Sequence, residues 1–146
     1  MTPLADIAAT FHLVDGMERL ELLLDYADAL PPLPDDLAAL RDAGIGRVHE
    51  CQSPVFLAVR AGDGGRLRVF ADVPEEAPTA RGFAGLLVDA FDGADAATLA
   101  AAPADLLGTL GISGMLGMQR TRGLGAVYAR LRADAAAVGD APESAA

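Results

Sequence analysis

The chain has 146 residues, 52% of them hydrophobic and 22% charged, which is enough to bury one core and too apolar for a disordered segment. Its 21 acids against 11 bases leave a formal charge of −10, an unfavourable balance for gripping a nucleic-acid backbone. All the bases are arginine, so the chain itself supplies neither the Schiff-base lysine of a pyridoxal enzyme nor the phosphate-binding lysine of a P-loop.

The N-terminus has no basic stretch followed by an apolar one, so no secretory signal is expected there. Asp15-Gly16-Met17-Glu18 has the spacing of a capping box, in which two side chains would satisfy free amides at a helix start. Leu20, Leu23, Leu24, Ala27 and Leu30 then recur at helical spacing, and Pro31-Pro32-Leu33-Pro34 ends the helix by removing amide donors. A short helix over Asp35–Asp42 follows and stops at Gly44.

From Arg47 the pattern changes. Val55–Val59 is a β-prone apolar run, and Arg66–Phe70 alternates polar and apolar with period two. Between them Ala61-Gly62-Asp63-Gly64-Gly65 carries the glycines that a hairpin turn needs. Gly46–Glu50 is a candidate third strand. A helix is predicted over Thr79–Phe91, two short helical pieces over Asp95–Ala101 and Pro103–Leu110, and a last helix over Thr121–Val138.

The longest uncharged run, Leu106–Gln119, has 14 residues and four glycines, too short and too broken for a membrane span. Residues 1–138 therefore read as one α+β domain, a small antiparallel sheet of about three strands packed against several helices. The tail 139–146 is expected to fray. The expected setting is soluble and cytoplasmic, with no nucleic-acid or membrane partner.

The candidate chemistry centres on Cys51, the single cysteine. One thiol makes neither an intramolecular disulfide nor a Cys-rich zinc site, so no metal is expected. It sits at a loop-to-strand junction, His49-Glu50-Cys51-Gln52-Ser53-Pro54, where Gln52 and Ser53 offer donors to a sulfur anion. Arg47 and His49 are cations that would favour the thiolate, and Glu50 opposes it. With no asparagine in the chain and no second cysteine, a protease relay and a dithiol redox site are both poorly served. What is left for a lone reactive thiol is to accept and hand on a group carried by another molecule. An inert, half-buried cysteine remains the alternative.

The stretch Glu50-Cys51-Gln52-Ser53-Pro54-Val55-Phe56 resembles the cysteine motif of the SufE family of sulfur acceptors, with Glu50 in place of the usual glycine and Phe56 in place of tryptophan. Arg81-Gly82-Phe83 and the segment Leu116–Leu124, with Arg120 and Gly123, resemble two further family segments in the same order. The resemblance covers about residues 10–135. It implies that Cys51 takes persulfide sulfur from a cysteine desulfurase, stimulates that enzyme, and delivers the sulfur to an iron–sulfur scaffold complex. Pyridoxal phosphate would then belong to the partner desulfurase, and this chain would carry no cofactor. It further implies that the loop over Glu50–Pro54 moves out on docking and that Arg120 binds the partner or positions the loop; His49, Gln52 and Ser53 are candidates for the same role from their place beside the thiol. The alternatives left open are a domain of the same fold that only docks to and regulates a desulfurase, and a stand-alone thiol enzyme. The sequence also leaves open whether two copies form a homodimer.

Overall fold

The computed structural model describes residues 2–140. In chain order the elements are α1 (Leu4–His12), α2 (Gly16–Ala29), α3 (Asp35–Asp42), β1 (Phe56–Ala61), β2 (Leu67–Asp72), α4 (Pro78–Phe91), α5 (Ala96–Ala100), α6 (Leu106–Thr109) and α7 (Met118–Gly139). β1 and β2 pair antiparallel, with Leu57 opposite Ala71 and Val59 opposite Val69. The alternation predicted for β2 is what the sheet uses. Leu67, Val69 and Ala71 face the core, while Arg68 faces out, its guanidinium 5.1 Å from the Phe70 ring centre. The turn between the strands places Gly64 and Gly65 at φ +65° and +76°, conformations that a side chain would strain.

The architecture is the expected α+β, but the sheet has two strands among the described residues, not three. The candidate third strand reduces to a single bridge, Arg47 opposite Phe56. Gly46 on one side has φ +87°, outside the β region, and the chain turns at His49–Glu50 on the other, so only one residue keeps extended pairing geometry. Two more expectations change. The capping box supplies no side-chain bond: Asp15 stands at the N-cap of α2 in extended geometry, yet its carboxylate caps no amide. The turn into α2 is instead held by Arg19, whose Nε donates to the carbonyls of Phe11 (2.9 Å) and Val14 (3.0 Å) and whose Nη1 donates to Gly111 (3.0 Å). And α7 runs to Gly139, one residue into the segment 139–146 expected to fray; residues 141–146 lie outside those described.

The core is built around α4, which is buried on nearly every side between α2, the sheet and α7. Two glycines make that possible. A Cβ on Gly82 would collide with the Leu23 carbonyl, and one on Gly85 with the Tyr26 carbonyl, so α2 and α4 touch backbone to backbone. Each glycine costs a helix interior about 1 kcal/mol of intrinsic preference relative to alanine, which the close approach and its dispersion contacts must offset. Arg81 ties the same region together. Its Nε donates to the Ala27 carbonyl at the end of α2 (3.1 Å), and its Nη1 donates to the Val73 carbonyl (2.6 Å) and approaches Asp72 (3.4 Å). The Arg81-Gly82 pair is thus a packing device that seats α4 on α2 and behind the strands.

Candidate functional site

Cys51 lies in a short loop whose ends are pinched together. Val48 donates its amide to the Val55 carbonyl at 2.9 Å, and both valines are fully buried. Inside the pinch, the amide of Cys51 approaches the Val48 carbonyl (3.4 Å) and that of Val55 donates to Ser53 (2.8 Å). Among the described residues, no hydrogen bond joins positions 49–54 to anything outside the loop. The loop is fixed at its base and held against the body by packing alone.

That packing is directed at α7. Cys51 is 6% exposed, and its Sγ rests on the bare face of Gly123, where an added Cβ would stand 3.3 Å from both Sγ and Cα of Cys51. Beside the sulfur is a cavity of about 80 Å³, lined by Cys51, Gln52, Ser53, Ala80, Gln119, Arg120, Gly123 and Leu124. Three separate parts of the chain therefore make the site: the loop before β1, the first turns of α4 and the first turns of α7.

Of the residues singled out from sequence, Gln52, Ser53 and Arg120 come together with Cys51 around this cavity. His49 does not. It is exposed at the turn of the loop and lines no part of the cavity. Arg120 is exposed on the first turn of α7, with no hydrogen bond or ion pair among the described residues. The residues that sequence reasoning assigns no role, Ala80, Gln119, Gly123 and Leu124, complete the lining. Only the Arg120-x-x-Gly123-Leu124 spacing carries a signal of them. His12 bonds through Nε2 to the Thr109 carbonyl at 2.7 Å and joins α1 to α6. Arg130 pairs with Asp134, and Arg132 donates to the Ala100 carbonyl, so both serve the surface of α7.

Among the described residues, no cluster of His, Cys, Asp and Glu has the makings of a metal site, and no helix is long and apolar enough to cross a membrane. Fold and site define a small α+β protein whose one free thiol, carried on a short loop, is packed against α7.

The comparisons with known proteins agree with that fold. The family model of the SufE, Fe-S metabolism associated domain matches residues 5–135. Two uncharacterized SufE-like proteins of Mycobacterium tuberculosis, from two different strains, are each 42% identical over 130 residues, 89% of this chain and 89% of theirs. The solution structure of a hypothetical protein from Thermus thermophilus superposes with a TM-score of 0.79 at 32% identity, covering 94% of this chain and 98% of that one. This chain belongs to the SufE family, and its domain is one associated with iron–sulfur metabolism.

Proposed function

We propose that this protein is a sulfur relay: Cys51 receives sulfur from the persulfide of a cysteine desulfurase, stimulates that enzyme by clearing it, and passes the sulfur to an iron–sulfur scaffold. The transfer balances without an added oxidant. The Cys51 thiolate attacks the outer sulfur of the donor persulfide, a new S–S bond forms, the donor S–S bond breaks, and the donor cysteine leaves as thiolate. The pyridoxal phosphate that first frees sulfur from cysteine belongs to the donor enzyme.

The observation that carries this reading is the packing of Cys51. A thiol 6% exposed against Gly123 is out of reach of another protein's sulfur, so attack requires the loop to leave α7. The loop is made to do so, because its internal bonds and its Val48–Val55 base can stay intact while the packing contacts open. The resting position has its own use. A persulfide returned to the cavity of about 80 Å³ is screened from peroxide and from stray thiols.

The test is desulfurase turnover, followed as sulfide or alanine released, with wild-type protein and Cys51→Ser. Relay predicts that stimulation depends on the thiol and disappears in Cys51→Ser. Equal stimulation by the two proteins would instead make this a domain that acts by docking alone. Peroxide consumption without any partner would mark a stand-alone thiol enzyme.

A further inference from the structure

Two helices begin at the Cys51 cavity. Ala80, the third residue of α4, lines it, and so do Gln119 and Arg120, the second and third residues of α7. The amides of Thr79 and Ala80 in α4, and of Gln119 and Arg120 in α7, have no hydrogen-bond partner among the described residues, and neither helix has a side-chain cap. Unpaired amides at a helix start carry partial positive charge and favour an anion.

No side chain supplies that anion at these two places. Helices α1, α2 and α3 each have an acid in the first turn, Asp6, Glu18 and Asp35 among them, and α5 and α6 are capped by Asp95 and Asp105. Helices α4 and α7 have neither, in a chain with 21 acids. Of the charged residues on the three segments that meet here, Arg120 lines the cavity, while His49, Glu50, Glu75, Glu76, Arg81 and Arg122 do not. The Cys51 thiol, more than nine-tenths buried, borders the same space and has no hydrogen-bond partner among the described residues.

We propose that this cavity is an anion site for the carried sulfur: the Cys51 persulfide rests there as Cys51–S–S⁻, its outer sulfur held by the first-turn amides of α4 and α7 and by Arg120. The inference rests on the sulfur-relay reading and specifies the charge of the carried species and the groups that hold it. A persulfide is a stronger acid than a thiol, so any proton on the transferred outer sulfur passes to solvent, with no change in oxidation state. The attraction is stronger in an enclosed cavity than at a solvated helix end, because less water screens it. Loading itself then draws the loop back onto α7.

The test sets sulfur in equilibrium between this chain and glutathione, with no partner protein. Protein, glutathione and glutathione persulfide are mixed at neutral pH, and the loaded fraction is read by intact mass as one added sulfur. The loaded parent should show the near-ultraviolet absorption of a persulfide anion. Gln119→Glu puts a carboxylate at the cavity and should shift the equilibrium about tenfold toward unloaded chain, a change of roughly 1.4 kcal/mol. Its melting temperature should hold or rise, because an acid suits the first turn of a helix, so lost sulfur is not lost fold. Gln119→Leu keeps the backbone amides, and Ala129→Glu adds the same charge about 15 Å further along α7; both should load like the parent. A parent that stays unloaded or lacks the anion absorption would overturn the anion site and leave sulfur relay standing. So would a Gln119→Glu chain that loads like the parent, or an equal loss in Gln119→Leu or Ala129→Glu. If these equilibria come out as expected but a persulfidated desulfurase leaves the parent unloaded, relay falls and the site stands.

Discussion

Gly123 is the residue on which Cys51 sits: the sulfur lies where a side chain would otherwise begin, with 3.3 Å between Sγ and the place a Cβ would take. That distance is shorter than ordinary van der Waals contact, so a methyl group there obliges the loop to shift by a few tenths of an ångström. Gly123→Ala should therefore raise the rate of Cys51 alkylation by about five- to tenfold, equivalent to ~1–1.4 kcal/mol of lost packing. The melting temperature should change little, because alanine favours the helix by about 1 kcal/mol over glycine. Iodoacetamide kinetics followed by mass spectrometry measure this. An unchanged rate would mean that the contact does not hold the loop down.

The glycines of α4 have a different purpose and should respond differently. Gly82→Ala and Gly85→Ala place a methyl group into the Leu23 and Tyr26 carbonyls, which are helix backbone and cannot swing aside. Either substitution should cost about 3 kcal/mol or more, outweighing the gain in helix preference. Urea unfolding should show a lower midpoint for both, in contrast to the near-neutral Gly123→Ala.

Arg81 joins α2, β2 and α4 through two carbonyls and Asp72. In Arg81→Ala the carbonyls of Ala27 and Val73 both lose a charged donor, and a loss of about 2–3 kcal/mol is expected. Arg81→Lys should recover only part of it, because an ammonium cannot reproduce the planar fork. Denaturant midpoints for the two variants settle the order. A full rescue by lysine would reduce the role of Arg81 to simple charge.

Asp95 caps α5, accepting from the Thr98 hydroxyl at 2.7 Å and from the Thr98 amide at 2.8 Å. Those bonds, the hydroxyl first and the amide next, hold its carboxyl below the ordinary aspartate range. A lowered native pKa means stability that is fully present above the unfolded value of about 3.9 and is lost as pH falls through the native one. Asp95→Asn keeps a capping oxygen but cannot ionise. Its deficit in melting temperature relative to wild type should be largest near neutral pH and should shrink as pH falls below about 4. A deficit that is constant across this range would show that ionisation of Asp95 contributes nothing.

The elements legible in the sequence are those whose signals are local. The hairpin announces itself through the alternation of Arg66–Phe70 and the glycines before it, and α3 spans Asp35–Asp42 as its flanking Pro34 and Gly44 imply. The differences come from competition between local and distant partners. The residues of Gly46–Glu50 suit a third strand, but the loop needs that segment to turn at His49–Glu50, and Gly46 adopts a positive φ beneath the Phe56 ring. Helix α1 goes unannounced because the cap signal at Asp15 points to a first helix after it; Ile7 and Phe11 nonetheless supply two core side chains from α1.

The site divides along the same line. Cys51, Gln52, Ser53 and Arg120 are accessible as candidates from the sequence, and the structure brings them together around one cavity. The seating of the sulfur on Gly123 joins residues on separate elements, and no periodicity reveals it. His49 is a candidate through closeness in sequence, but the turn carries it outward into solvent, away from the cavity.

The central claim is tested most directly by intact mass. The protein is incubated with a holo cysteine desulfurase and cysteine, separated under non-reducing conditions and weighed beside Cys51→Ser. The account predicts a gain of one sulfur atom on the wild-type chain, removed by dithiothreitol and missing from Cys51→Ser. A wild-type chain that stays at its starting mass while the desulfurase is demonstrably persulfidated would contradict it.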